Sequence, residues 1–418
     1  MAARIHEKCL GNGGNPMQYT WLIIVFLSGI YLPMTVVCQD SVEVRTASGQ
    51  QDLKDWLAEK GIIEKRPEKS GFILIVPVIA SNPTSGFICG GGLIYAFKTR
   101  PTDVRVSTLS SNATYSTKGL LNLNVKSNAF ALGERMVLNG DWRFLHNAET
   151  TYGLGTTSDS AGQDLKYYHV RIHQIGSWKI ISNFFAGIGF HYDHYYHIED
   201  AAPTADTARS YQYRYSVSHG FDPQHYSATG VSLNLLYDSR DNQISAYKGT
   251  YANVNFRVNL EGLGSSRNSS ILLTEYRTYL SMGREPNQQT LALWLYGNFV
   301  TSGDVPFLLL PAIGYDQRQK TGRGYTFGRF RGEDLVYGEG EYRFPISAHT
   351  GILGGVCFLN CTTATDRQAH ISLFDDLKPA YGGGLRVMAD KKTRTRFELD
   401  AGVAQGKVGF YFGAQETF

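Results

Sequence analysis

Alternation of apolar and polar residues recurs along most of this chain and constrains its fold more than any other feature. At 121–126, apolar Leu121, Leu123 and Val125 are interleaved with Asn122, Asn124 and Lys126. Similar runs lie at 167–173, 252–261 and 396–400. Successive side chains of a β-strand point to opposite faces, so this pattern predicts strands with one apolar and one polar face.

The number and length of these runs favour a membrane β-barrel over a soluble β-sandwich. About sixteen runs begin between Gly71 and Lys407, and merged pairs would reduce the number to fourteen or twelve. Their polar faces are densely charged, as expected for a water-filled lumen. No helical segment is evident that could cover a large open sheet. We therefore predict an all-β, transmembrane antiparallel β-barrel over residues 71–418.

Composition agrees with this class and argues against others. The 418 residues include 45 Gly, 26 Tyr and 22 Phe, which disfavours long helices. The formal charge is only +3, so a nucleic-acid partner, which needs a concentrated basic face, is not expected.

The last strand is expected to run from Lys407 to Phe418 and to carry a C-terminal barrel signal. Phe410, Phe412 and Phe418 are its phenylalanines and share one face of the alternation. An unpaired apolar edge strand invites aggregation in water, whereas lipid suits it. The predicted partners are outer-membrane lipid and the barrel-assembly machinery that would insert the chain.

The amino-terminal region reads as a leader. An apolar run at 21–37 is followed by Cys38 and then by polar sequence, which is typical of a cleaved signal peptide over residues 1–38. Met17 is an alternative start, and a single membrane-spanning helix is the alternative interpretation of the run. Residues 39–70 are expected to form a short periplasmic segment.

The strand count also sorts the connections by side. With both ends in the periplasm, odd-to-even connections are external, and the long segments 148–163, 302–334 and 363–376 fall there. The long segment 198–225 is assigned to the periplasmic side.

Several motifs in this order and spacing resemble the BamA/TamA family of outer-membrane proteins, also called bacterial surface antigens. The most specific is Arg323-Gly324-Tyr325, followed by 328–331 and 341–346; supporting matches are 152–155, 237–242, 248–250, 397–400 and 416–418. The resemblance implies that the 302–334 loop folds from outside into the lumen, where Arg323 docks on the barrel wall. It also implies a role in inserting or translocating proteins or other envelope components, with an envelope protein or lipoprotein as partner.

The residues themselves support such a dock. A guanidinium that leaves bulk water needs paired acceptors. Glu339, Glu341 and Asp400 lie on the inferred lumen faces of nearby strands. Asn360 stands where the family usually has an inward aspartate, which predicts a weaker lock or a greater use of Asp400. Residues 39–70 are too few for the family's periplasmic POTRA domains.

A cluster at 191–197 is the one candidate metal site. His191, Asp193 and His197 share a face of a straight strand, and imidazole and carboxylate groups suit zinc or a similar divalent ion. The alternative is a polar, aromatic rim at a loop mouth. No cofactor is otherwise expected.

Catalysis is not predicted, because no Gly-x-Ser-x-Gly elbow or Ser/His/Asp arrangement stands out. The alternatives to an insertion or translocation barrel are a passive or gated pore plugged by the 302–334 loop and a metal-binding barrel of structural role. If the barrel inserts or translocates proteins, a weak seam between the first strand, near 71–80, and the last strand is expected to open.

Overall fold

The computed structural model describes residues 50–62, 71–82, 86–100, 103, 105–157, 161–200, 210–284 and 287–418. The predicted signal peptide, 1–38, lies outside these residues, as does most of the segment 39–70. Among the described residues, no helix is long and apolar enough to span a membrane.

One antiparallel sheet of sixteen strands dominates the structure, which confirms the predicted class and strand number. Its strands are hydrogen-bonded in chain order, each to the one before and the one after. They are β1 Gly71–Asn82, β2 Gly86–Phe97, β3 Ser107–Ser116, β4 Leu121–Ala131, β5 Met136–Thr151, β6 Gln163–Ile181, β7 Phe184–Asp200, β8 Tyr226–Asp238, β9 Gly249–Asn259, β10 Ser269–Met282, β11 Gln289–Gly303, β12 Asp334–Pro345, β13 Leu353–Ala364, β14 Lys378–Asp390, β15 Thr395–Ala404 and β16 Lys407–Gly413.

The two faces of the sheet differ as the alternation predicts. Ile188 and Phe410 on the outer face are 71% and 76% exposed, whereas the inner face buries charged side chains such as Arg143 and Glu341. An apolar exterior around a polar lumen is the arrangement of a barrel in lipid. β6 and β7, with 19 and 17 residues, are longer than the roughly ten residues needed to cross a bilayer.

The connection 198–225 corrects our assignment of sides. It joins β7 to β8, an odd-to-even pair, and therefore lies at the same, external end as the other long connections. This connection contains a helix, Tyr211–Ser218, here named the loop helix, and its Tyr215 packs against Val305 and Phe307 beyond the end of β11. The 198–225 connection lies on the external side because its helix packs against the external 302–334 loop. A connection on the periplasmic side could not make this contact.

The first and last strands are not hydrogen-bonded to each other in the part of the chain that the structure describes. β1 is nevertheless brought close to β14 and β15 at one end by side chains, because Phe72 on β1 belongs to an apolar cluster with Ala389 on β14 and a partly buried Phe397 on β15. The amino-terminal helix, Leu53–Glu59, docks at this end.

Ion pairs hold that helix in place. Lys54 Nζ lies 3.3 Å from a carboxylate oxygen of Asp390 and 4.5 Å from the centre of the Phe72 ring. Lys391 Nζ lies 2.8 Å from a carboxylate oxygen of Asp55. The helix therefore contacts both β1 and the end of β14, on the two sides of the β1–β16 seam.

The last strand ends at Gly413, five residues earlier than the alternation predicts. Phe410 and Phe412 face outwards as expected, but Phe418 is only 2% exposed and its ring centre lies 5.2 Å from that of Trp294. The reason is the carboxylate of Glu416, which accepts a 2.8 Å hydrogen bond from Arg386 Nε on the inner wall. A carboxylate facing lipid is costly, so residues 414–418, here called the tail, turn into the lumen.

Candidate functional site

The long connection between β11 and β12, residues 304–333, fills part of the lumen and is here called the lumen loop. Its descending arm reaches Asp316, whose carboxylate accepts hydrogen bonds from the main-chain N–H groups of Lys320 at 3.0 Å and Thr321 at 2.9 Å. These bonds close a tight turn. The turn presents the tip, Arg323-Gly324-Tyr325, to the wall formed by β12–β16.

Arg323 meets three carboxylates on that wall. Its Nη2 lies 2.5 Å from Glu339 Oε1 and also donates to Glu341, while its Nη1 donates to Asp400 Oδ2 at 2.6 Å. The guanidinium carbon lies 3.6 Å from the centre of the Phe358 ring, a cation–π contact. Arg323 thus joins β12 and β15 through one side chain that is 1% exposed.

The charge of Arg323 is maintained in spite of its burial. Burial alone lowers the pKa of the guanidinium, but the neighbouring Glu339, Glu341 and Asp400 carboxylates raise that pKa well above its usual value. Removing one partner of a buried ion pair leaves the other charges uncompensated, so the contact resists opening.

Gly324 is required by the close approach of the tip to the wall. Its φ of +104° is a conformation that side-chain-bearing residues rarely adopt. A Cβ at this position would lie 2.9 Å from the Cβ of Ala380 and 3.2 Å from that of Ala404. The main-chain N–H of Gly324 donates a 2.8 Å hydrogen bond to Tyr411 Oη on β16, so the tip also contacts the last strand.

Tyr325 and Asn360 fix the tip by different means. The Tyr325 hydroxyl donates to the main-chain oxygen of Pro379 at 2.8 Å. Asn360 does not replace an aspartate as a partner of the guanidinium; its Nδ2 donates to the main-chain oxygen of Arg323 at 3.0 Å. The structure therefore brings together all seven residues that the sequence suggested for this dock: Arg323, Gly324, Tyr325, Glu339, Glu341, Asn360 and Asp400.

The dock is part of a larger buried charge cluster that the motif did not reveal. Arg386 Nη1 lies 2.5 Å from Asp400 Oδ1, and Arg343 Nη2 lies 2.5 Å from Glu341 Oε2. The cluster has five basic and five acidic members, namely Lys320, Arg323, Arg343, Arg386 and Arg396 with Glu339, Glu341, Glu398, Asp400 and Glu416. One sequence signal could have revealed this cluster: the alternation on β12 places Arg343 on the same inward face as Glu341.

The tail contributes to this cluster. Burial raises the pKa of Glu416, but Arg386, Arg343 and Arg396 together lower it to about 2. Arg318 of the lumen loop donates to the main-chain oxygen of Glu416 at 3.4 Å. Burial, together with nearby Arg277 and Arg240, lowers the pKa of Arg318 to about 10.

A second anchor holds the ascending arm of the lumen loop to the opposite wall. Arg331, 1% exposed, has its Nη2 3.0 Å from Glu149 Oε1 on β5. The other Glu149 oxygen accepts from the hydroxyls of Tyr167, at 2.6 Å, and Tyr315. The two anchors attach the loop to opposite parts of the wall, on β5 and on β12–β15, so it crosses the lumen as a strut. No sequence pattern marked Glu149, because 182 residues separate it from Arg331.

The residues predicted to bind a metal do not form such a site. Asp193 is fully buried, and its carboxylate is bonded by Arg171 Nε at 2.7 Å and Arg257 Nη1 at 2.8 Å. The Nε2 atoms of His173, at 2.7 Å, and His169, at 3.1 Å, complete its hydrogen bonding. His191 Nε2 is hydrogen-bonded to Ser232, and His197 has a φ of +49°, which takes it out of the strand alternation. In the described part of the chain, no group of three or more His, Cys, Asp or Glu side chains could hold a metal ion.

A lipid-facing barrel with an external loop docked in its lumen defines a class of outer-membrane β-barrel protein. The Omp85 superfamily domain matches residues 100–418, and the chain belongs to this superfamily. Members of this superfamily are outer-membrane transporters and assembly factors of Gram-negative bacteria, and this chain is an outer-membrane β-barrel.

Two solved structures share the fold at low sequence identity. BamA from Haemophilus ducreyi lacking POTRA domains 1–3 is 14% identical, with a TM-score of 0.51, and the match covers 83% of this chain and 69% of that one. CdiB from Acinetobacter baumannii is 11% identical, with a TM-score of 0.52 and coverage of 83% and 60%. No curated protein matches the sequence.

Proposed function

We propose that this barrel inserts or translocates other proteins, or other envelope components, at the outer membrane, with the β1–β16 seam as the path. The observation that carries the proposal is the missing hydrogen-bond ladder between these two strands among the described residues. An unpaired strand edge is a template on which another chain can add a strand.

Each side of the seam contributes to its weakness. β1 has twelve residues, but its Pro77 has no N–H to donate. β16 has seven residues, because the tail turns into the lumen. Even if the two strands paired, a short strand opposite a proline-containing strand could form only a few ladder bonds, so separating β1 from β16 costs less free energy than separating any other strand pair of the sheet.

The lumen loop is coupled to this seam. Its tip binds Asp400 on β15 and Tyr411 on β16, and it binds Glu339 on β12. The loop therefore braces the wall up to the last strand and leaves β1 outside the braced part. We propose that opening separates β1 from β16 while β12–β16 move together, and that an envelope protein or lipoprotein delivers the cargo.

Locking the seam tests the proposal. In a background with Cys89, Cys357 and Cys361 replaced by serine, Ile75→Cys is combined in turn with Cys at Val408, Phe410 or Phe412. A disulfide at the seam is expected to deplete outer-membrane proteins from the envelope proteome of the host, and reduction is expected to restore them.

The matched control places the disulfide inside the sheet. Ile75 pairs with Leu93 in the β1–β2 register, so Ile75→Cys with Leu93→Cys constrains β1 without crossing the seam. An unchanged envelope proteome with the seam fully cross-linked would refute the proposed function.

A plugged pore is the second candidate, because the lumen loop crosses the lumen. Lys126 Nζ on β4 donates to Gln319 of the loop at 2.9 Å, far from the Arg323 dock in the sheet order. Deleting residues 312–331 and recording conductance in planar bilayers distinguishes the plugged pore from the insertion or translocation barrel. A large increase in conductance with an intact envelope proteome favours the pore, and a depleted proteome favours insertion or translocation.

A further inference from the structure

A run of stacked rings covers the outer face of the barrel at the external ends of β5, β6 and β7. The centre of the His146 ring lies 4.2 Å from that of Tyr168, which lies 5.1 Å from that of Tyr196. Along β7, Tyr196 stacks on His194 at 5.2 Å and His194 on Tyr192 at 6.3 Å. We call these five rings the ring stack.

The ring stack lies where the apolar band of the barrel ends. Ile188 and Phe410 mark the lipid-facing surface, and Ile188 shares the outer face of β7 with Tyr196, eight residues further on. Eight residues of strand rise about 27 Å along the strand, or about 20 Å along the membrane normal at a tilt of about 40°. Trp178, which is 49% exposed and pairs with Ala186, extends the apolar surface further toward the periplasmic end, so Ile188 to Tyr196 covers the upper part of an apolar band roughly 25 Å high. Tyr196 therefore lies at the level of the lipid headgroups.

A cavity of about 600 Å³ opens beside the ring stack at this level. Its polar lining consists of His194, His197, Glu199, Gln224 and His225, and Val170 and Tyr196 are among its apolar walls. The cavity lies between the external ends of β6 and β7 and the start of β8, so its apolar side continues into the lipid-facing surface.

A distortion of β7 turns the imidazole of His197 toward the cavity. The β6–β7 register shifts between Lys166 and Tyr168, opposite His197, whose φ is +49°. Positive φ is uncommon for residues other than glycine, and bulges of this kind re-aim side chains. As a result, the His197 ring lies 5.5 Å from Tyr196 and 5.8 Å from Tyr168, in the same patch.

The chemistry of the lining indicates the ligand. Imidazole and amide groups both donate and accept hydrogen bonds, and the Glu199 carboxylate accepts them. Sugar hydroxyls also do both, whereas a phosphate only accepts. No lysine or arginine is among the described residues that line the cavity. We propose that this cavity binds the saccharide headgroup of a glycolipid, whose acyl chains lie on the apolar surface below.

Lys166 is opposite Glu199 in the strand register and could attract an anionic group. An anionic lipid headgroup is therefore the competing ligand, and the experiment tests an anionic lipid beside the glycolipid. The purified barrel is reconstituted in phosphatidylcholine nanodiscs that contain either digalactosyl diacylglycerol or phosphatidylglycerol, and native mass spectrometry counts the lipid retained after detergent exchange. We expect wild type to retain the galactolipid, and Gln224→Ala with His225→Ala to reduce retention at least about tenfold, as loss of two hydrogen bonds allows.

The control variant carries the same kinds of change at the other end of the barrel. Asn287→Ala with His349→Ala alters exposed residues in periplasmic turns and is expected to retain the galactolipid as wild type does. Heat-dependent migration in gels checks that each variant is folded, and Tyr196→Leu is a second test of the same wall.

Three results would overturn the proposal. They are equal galactolipid retention by wild type and by both folded cavity variants, equal or greater retention of phosphatidylglycerol by wild type, and equally tight binding of free digalactose, which would make the site a soluble-sugar site. This inference does not depend on the proposed function, because lipid retention is measured without any client protein.

Discussion

Arg323 and Asp400, 77 residues apart in the chain, are joined by a hydrogen bond of 2.6 Å inside the lumen. Asp400 is held in turn by Arg386, so the loop tip enters a network that already exists on the wall. The consequence is that the position of the lumen loop and the geometry of the last strands are not independent.

Replacing Arg323 should destabilise the barrel substantially. Arg323→Ala leaves Glu339, Glu341 and Asp400 without their shared cation, and breaking buried pairs of this kind costs about 3 to 5 kcal/mol. Arg323→Lys should recover part of the loss, because it keeps the charge but not the planar fork. The unfolding midpoint, read from heat-dependent migration in gels, measures both. Arg284→Ala, at an exposed turn residue, is the control, and an equal midpoint for the two alanine variants would contradict the prediction.

The second anchor should behave as a coupled pair. Arg331→Met and Glu149→Gln each leave a buried partner, whereas the double variant leaves neither charge. A double-mutant cycle on unfolding free energies should therefore give a coupling of about 1 to 3 kcal/mol, with the double variant more stable than the sum of the single changes allows. Additive effects would show that Arg331 is held by Phe307 and its neighbours rather than by Glu149.

A methyl group at Gly324 should disturb the dock. The added Cβ meets Ala380 at 2.9 Å, and φ at this residue is +104°, so Gly324→Ala should cost about 1 to 3 kcal/mol. Ala380→Gly should restore part of the stability by removing the contact, though not the backbone strain. Gly262→Ala is the matched control, because a Cβ there meets nothing within 4 Å. Equal effects of the two alanine variants would contradict the prediction.

Tail docking should depend on pH through Glu416. Its pKa is lowered from 4.5 to about 2, so the ionised carboxylate stabilises the folded state above pH 4.5, and this contribution is lost as the pH falls toward 2. The lowering corresponds to about 3 kcal/mol. Between pH 7 and pH 3, the unfolding midpoint of wild type should fall more steeply than that of Glu416→Gln, while Glu59→Gln, an exposed change, should follow wild type. If the unfolding midpoints of Glu416→Gln and wild type fell in parallel with pH, Glu416 would not be the group that makes tail docking depend on pH.

Local pattern was enough to predict the strands, because each strand is defined by its own alternation. The predicted starts of the first and last strands, Gly71 and Lys407, coincide with the observed ones, and so does the predicted number of strands. The residues of the Arg323 dock could also be predicted from the sequence. A buried guanidinium needs carboxylates, and the alternation shows which carboxylates face inwards. The direction of the tail was not, because Phe410, Phe412 and Phe418 continue one apolar pattern and only the pairing of Glu416 with Arg386 breaks it.

The sequence by itself determined that this chain forms an all-β barrel with an apolar exterior, a polar lumen and a loop tip suited to a buried ion-pair dock. Only the tertiary structure decided which charges meet: Arg331 with Glu149, Asp193 with Arg171 rather than a metal, and the tail with the wall. The physical reason is distance. Strand periodicity is a property of neighbouring residues, whereas pairing across a lumen depends on curvature, register and loop path, which no local pattern encodes.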